Sequence, residues 1–358
     1  MGLLPAGYDA PTWKEAHVPN RSIRPGIALS LAVAACLACW PAPALAGDEG
    51  APGALVRAAW KSRWVEEHAR IQDHIDHDRG DAALAAADAL LREVRASGDL
   101  KELAEVLLLR GEALLGLDRA AEAGSMARTA LGLGSLLGDP HVLACAFNDL
   151  GILAEDAGRV RGAATFYRQA YRHLPAFEDQ ALKEAILFDL GSAECRTGRE
   201  EEGFVHLEEG RTAALGRGDR LAETRFLVRI AEFRQEFSKP EAEKLALQAL
   251  EQARQLRHAP SEQGAERTLA RCRLVAKDLP GAEKHFRAAL DVAKRSGSAW
   301  GEAQAAFELG LFQVQTGKRS EAIAPLERAA SLFRKLGRKD LADEVKELLQ
   351  RLAPARAS

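Results

Sequence analysis

The chain is poor in the residues from which sheets and cores are usually built: of its 358 residues only 3 are tyrosine, 2 methionine and 12 phenylalanine. Runs of alternating Val, Ile and Thr, the signature of half-buried strands, are missing, which excludes a β-sandwich or barrel. Charge of one sign is also missing, since 49 basic against 52 acidic residues leave a formal charge of −3. That balance excludes a general nucleic-acid binder, which needs a clear basic excess. Five cysteines form no metal-binding C-x-x-C pattern and no evident disulfide framework. Cys145, Cys195 and Cys272 read as small buried fillers of helix packing. Catalytic motifs are absent too: there is no H-E-x-x-H, no G-x-S-x-G, no Walker loop and no dinucleotide-binding G-x-G-x-x-G. The expectation is a protein that is not an enzyme and carries no cofactor.

What is present is Ala, Leu, Arg, Glu and Gly, a mixture that favours helix almost throughout. The N-terminal stretch differs. In "RSIRPGIALSLAVAACLACWPAPALA", residues 21–46, two arginines precede an uncharged run, Gly26 to Cys39, of fourteen residues. That is too short for an ordinary membrane span of about 20 residues. Ala44-Leu45-Ala46 before Gly47 fits a cleavage site, so residues 1–46 read as an N-terminal extension with an export signal and 47–56 as a linker. The expected location is the periplasm or cell envelope. Val33-Ala34-Ala35-Cys36 resembles a bacterial lipobox, which leaves lipidation of Cys36 and membrane anchoring as the alternative.

From residue 57 to 338 a small residue recurs at Gly111, Gly151, Gly191, Ala231, Ala270 and Gly310, in steps of 40, 40, 40, 39 and 40. Further small residues stand twelve and nineteen positions on, for example Ala163 and Ala170, or Ala322 and Ala329. Apolar residues at three and four spacing between them describe amphipathic helices. The second glycine of each phrase (Gly158, Gly198, Gly317) suits a left-handed helix end. The glycines of "LGLGSLLGD", 131–139, read as loop and cap residues, and Gly80 as a displaced helix end in an irregular first unit. A lone hairpin cannot bury both faces, so units must stack. Seven hairpins are expected, with residues 339–352 as a capping helix and 353–358 as a tail.

"FNDLGILAEDAGRVRGAATFYRQAYRHLP", residues 147–175, resembles a tetratricopeptide repeat through Phe147, Leu150-Gly151, Gly158, Ala163, Tyr167, Ala170 and Pro175. The family unit has about 34 residues; the longer period here resembles the arrays of kinesin light chains and of maltose-regulator-type sensors. The resemblance implies an all-α fold, a right-handed α-α superhelix whose first helices line a groove that binds a partner protein or peptide. A sensor array whose curvature responds to a small ligand or peptide is the alternative. Groove positions counted from the Leu-Gly pairs include Asn148, Asp149, Glu155, Asp189 and Arg196, then Arg225, Arg229, Glu232, Arg267 and Arg271. The last four arginines are i,i+4 pairs on consecutive first helices, suited to bidentate capture of carboxylate or phosphate. Nearby Glu223, Glu232, Glu262 and Glu266 offer an intramolecular alternative. The basic clamp of chaperone-tail binders is not matched, because units one and two offer Val65, His68, Glu105, Leu108, Leu109 and Glu112 instead. His74 and His77 stand three apart beside acidic residues, a weak metal candidate that reads better as a polar helix end. "REEEGFVHLEEGR", 199–211, reads as a solvated second-helix face.

Overall fold

The computed structural model describes residues 63–64, 66–75, 79–117, 119–174, 179–235 and 239–352. The export segment with Cys36, Ala46 and Gly47, the linker, His77, Pro175 and the tail lie outside the described residues. The described chain is all α. α1 covers 63–75. Then follow α2 (Gly80–Ser97), α3 (Leu100–Gly116), α4 (Ala120–Leu137), α5 (Pro140–Asp156), α6 (Val160–His173), α7 (Gln180–Arg196) and α8 (Glu200–Gly216). The rest are α9 (Arg220–Arg234), α10 (Lys239–Gln255), α11 (Ala259–Val275), α12 (Leu279–Ser296), α13 (Ala299–Gln315), α14 (Arg319–Lys335) and α15 (Lys339–Leu352). None of the described helices is long and apolar enough to cross a membrane.

These helices pack as sequential hairpins, the solenoid the repeat implied. The molecule divides into two compact units, one ending at His206 and one beginning at Leu207. In the first, α3 packs on α4 and α5 on α6, and the first helices α3 and α5 also touch each other. In the second, α9, α11 and α13 make the same first-helix contacts. Their apolar stripes build continuous cores: Leu90, Val94, Leu107, Leu108 and Leu109 in one, Phe286, Phe307, Phe312, Leu326 and Phe333 in the other.

The helix ends follow from local chemistry. Asp99, Asp139, Asp179 and Asp219 cap α3, α5, α7 and α9, each side chain accepting from a backbone N–H of the first turn. The glycines that close the first helices take the left-handed conformation, with φ of 72° at Gly158, 82° at Gly198 and 81° at Gly317.

Two sequence expectations need correction. Gly80 does not end a helix but opens α2, where an added Cβ would stand 2.9 Å from Leu117. Of the glycines in 131–139 only Gly138 is a cap; Gly132 and Gly134 lie inside α4. At Gly134 the reason is packing, since a Cβ there would come within 2.9 Å of Val142 on α5.

Candidate functional site: the first-helix faces

Within the unit that ends at His206, the first helices are joined along one edge by ion pairs. Lys101 Nζ lies 2.8 Å from Asp139, and His141 Nε2 lies 3.2 Å from Asp179. Each aspartate therefore caps its own helix and also receives the cation that stands two residues after the preceding cap. Burial works against a charged His141, yet Cys145 and the Asp179 carboxylate hold its pKa well above the ordinary value. The Cys145 Sγ is 4.0 Å from His141 Nδ1, so this half-buried cysteine is more than filler. Burial also pushes its thiol pKa up, against the pull of His141.

Beside the edge, burial pushes Glu105 up to about 7, against the pull of Lys101 and His141. His68 on α1 is driven down to about 4 by burial, with His141 adding to the effect. A buried acid with a raised pKa resists ionisation in the folded state alone. Its contribution to stability is therefore lost as pH rises from the unfolded value, about 4.3, through the folded one. The difference in unfolding free energy between Glu105→Gln and the parent should shift in favour of the variant by about 3 kcal/mol between pH 4.5 and 8. Urea unfolding at the two pH values measures it, and a pH-independent difference would refute the assignment.

Further along the same helices, Arg196 Nη2 forms an ion pair with Glu155 at 2.7 Å, and the Tyr167 hydroxyl donates to Glu155 at 2.9 Å. Two of the sequence-derived groove residues, on α5 and α7, are thus brought into direct contact. Asn148 and Asp149 are 1% and 4% exposed, deeper than a helix-face count suggests, and Asp189 is half-buried. Behind them Glu194, 1% exposed, accepts from Arg168 at 2.8 Å and from His206 Nδ1 at 2.7 Å. His206 belongs to the stretch read as a solvated face. It turns inward because Glu194 sits opposite on α7.

Within the unit that begins at Leu207, the arginines are already engaged. Arg267 donates through Nε and Nη2 to both oxygens of Glu308, at 2.8 and 2.7 Å, and Arg271 adds a bond of 2.9 Å. Arg229 pairs with Glu232 at 3.0 Å, and Arg225 is half-buried on the same helix. Burial alone would raise the pKa of Glu308, but the two guanidinium groups hold it below the ordinary carboxylate range. The bidentate fork expected for a ligand thus holds an internal carboxylate. Glu262 and Glu266 instead meet Arg254, at 3.2 and 2.8 Å, and Glu266 also meets His285 at 2.7 Å. Glu308 was legible in principle: it stands two residues before Gly310, as Asp149 and Asp189 stand before Gly151 and Gly191.

His74 is half-buried in the last turn of α1, and no group of three potential metal ligands occurs among the described residues.

No protein-family model matches the chain, and no curated protein matches it significantly. Solved structures do. A Rap protein complexed with Competence and Sporulation Factor superposes with a TM-score of 0.61 at 16% identity, covering 81% of this chain and 87% of that one. NprR in complex with its cognate peptide NprX gives 0.58 at 11% identity, over 80% and 82% of the two chains. The apo quorum sensor NprR from B. thuringiensis gives 0.58 at 10% identity, over 83% and 84%. Hairpin order, glycine-closed first helices and these superpositions agree. The chain is a tetratricopeptide-like helical-repeat protein. In this tetratricopeptide-like array the charged pairs described above all lie on or against first helices, where successive hairpins can present them side by side.

Proposed function

We propose that the chain is a non-catalytic scaffold that binds a peptide or an extended segment of a partner protein along the first-helix faces of its hairpins. The observation that carries this reading is the placement of charge. Asn148, Asp149, Glu155 and Arg196 in one unit, and Arg229, Glu232, Arg267, Arg271 and Glu308 in the other, sit on faces that an inert spacer would fill with apolar residues. Repeat arrays present such faces as extended binding surfaces. The structures of Rap complexed with Competence and Sporulation Factor and of NprR with its cognate peptide support it by analogy of fold.

Photo-crosslinking from a residue beside the face, such as Asp156, followed by mass spectrometry of the adduct tests the reading. A reproducible adduct lost when excess unlabelled partner is added supports it. Labelling that matches an exposed second-helix position such as Glu327 overturns it.

Export belongs to the same proposal and is supported by residues 21–46 alone. Intact-mass analysis of the envelope fraction should find a chain beginning at Gly47, or one beginning at Cys36 with added lipid. A chain that keeps residues 21–46 overturns export.

A further inference from the structure

The hairpin tip between α5 and α6 breaks a pattern that the tips on either side keep. Arg119 and Arg199 stand just before α4 and α8, and each forks onto the glutamate three residues on. Arg119 meets Glu122 at 2.7 and 2.8 Å, and Arg199 meets Glu202 at 3.2 and 2.8 Å. Arg159 holds the same place before α6, but the residue three on is Gly162. Packing does not demand that glycine, since an added Cβ would make only ordinary contacts, at 3.8 and 4.0 Å. Arg159 and Arg161 are exposed, and neither guanidinium forms an ion pair or hydrogen bond among the described residues.

Both side chains line one cavity of about 400 Å³, which Arg196 and Thr197, at the tip between α7 and α8, also line. No described residue that lines it is acidic. Glu155 takes Arg196 Nη2 and the Tyr167 hydroxyl, but the Arg196 Nε is buried and donates to nothing. Of the other carboxylates at these tips, Glu202 holds Arg199 and Asp156 has contacts of its own. Glu200 and Glu201 stand in the first turn of α8, outside the lining. Three guanidinium groups around one space repel one another, and an anion entering that space relieves the repulsion. A phosphate group suits it better than a carboxylate. It carries about −1.5 to −2 charges near neutral pH and has enough oxygens to accept forks from more than one arginine.

We propose that this cavity binds a phosphate group, as the free ion or on a small phosphorylated molecule, through Arg159, Arg161 and Arg196. Its volume falls within the range of small-ligand pockets, about 300–1,000 Å³. The inference goes beyond the segment-binding reading and does not depend on it.

Isothermal titration calorimetry of the full chain with inorganic phosphate, glucose 6-phosphate and acetate, in low salt to limit screening, tests it. At least one of the two phosphate compounds should bind about tenfold or more tightly than acetate, and the tighter of them identifies the source of the group. Arg159→Gln with Arg161→Gln should weaken that binding about tenfold or more. Gly162→Glu should weaken it about threefold or more, by giving Arg159 the carboxylate that Glu122 and Glu202 give its counterparts. The control pair Arg92→Gln and Arg128→Gln removes two exposed charges from α2 and α4 and should change it less than about twofold. Circular dichroism identifies any variant that fails to fold, and the remaining site variant then decides. No measurable binding of either phosphate compound, binding less than about threefold tighter than acetate, or affinity unchanged in the folded site variants overturns the proposal.

Discussion

Glu308→Gln is expected to destabilise the unit from Leu207 onward by about 3–5 kcal/mol, because it leaves two guanidinium groups buried against a neutral amide. Arg267 and Arg271 keep only 12% and 19% of their side-chain surface, so water cannot easily take the place of the lost carboxylate. Thermal unfolding followed by circular dichroism measures the loss, and at roughly 2–4 °C per kcal/mol for a domain of this size the shift is large. A triple change, Glu308→Leu with Arg267→Met and Arg271→Leu, should recover most of it, since apolar side chains of similar volume can replace a buried ionic cluster. The pH dependence has a definite sign. A carboxylate whose folded pKa is depressed contributes stability that is complete above its unfolded value, about 4.3, and disappears as pH falls through the folded one. The gap between parent and Glu308→Gln should therefore narrow as pH falls below about 4. A shift of less than about 1 kcal/mol at pH 7 would show that the cluster is not the buried anchor described here.

Gly203→Ala should cost about 3 kcal/mol, at the upper end of what overpacking produces. A Cβ at Gly203 on α8 would stand 2.5 Å from the Cys195 Sγ, 2.7 Å from the Gly191 carbonyl oxygen and 2.9 Å from the Cys195 nitrogen. Two of those atoms are backbone, so the hairpin can relieve the contact only by parting its helices. Gly132→Ala makes the useful contrast. It too lies within a helix, but nothing stands within 4 Å of its added Cβ. There the same change should stabilise by about 1 kcal/mol, the ordinary helix preference of Ala over Gly. Equal effects at the two sites would mean that close approach of α7 and α8 is not what keeps Gly203 small.

The hairpins were legible because their requirements are periodic. Gly151, Gly158, Ala163 and Ala170 each answer a packing or capping need that recurs in every copy. Positions in α4 misled for the same reason: Gly132 and Gly134 resemble a loop in composition, and only the proximity of Val142 explains Gly134. The faces were legible as positions but not as pairings. Counting from Gly151 and Gly191 placed Asp149, Asp189 and Arg196 correctly among first-helix residues. It could not foresee that Arg267 would find Glu308, 41 residues away, before any ligand. Pairing depends on which of several nearby carboxylates lies in reach of a long side chain, and Glu223, Glu232, Glu262 and Glu266 were not the ones chosen for the forks of Arg267 and Arg271. His206 and Glu194 escaped notice because their bond needs the depth of α7, which a surface-charge pattern does not report. The aspartates at 99, 139, 179 and 219 did carry a readable period that marks the start of each first helix.

That period has a consequence for how the array can change length. Lys101 and His141 each reach an acceptor 38 residues ahead, on a cap that recurs every 40. Removing residues 140–179 and closing the chain would excise His141 and Asp179 together, leaving Asp139 as the cap of the helix that begins at Gln180 and Lys101 with its partner unchanged. Excising 100–139 instead would carry Asp99 into the place of Asp139, ahead of His141 and Asp179, whose link survives. Loss or gain of a whole period preserves the edge, and the shortened step of 39 residues, from the cap Asp219 to the cap His258, falls beyond it. The edge thus works as a reading frame for hairpins, indifferent to how many there are.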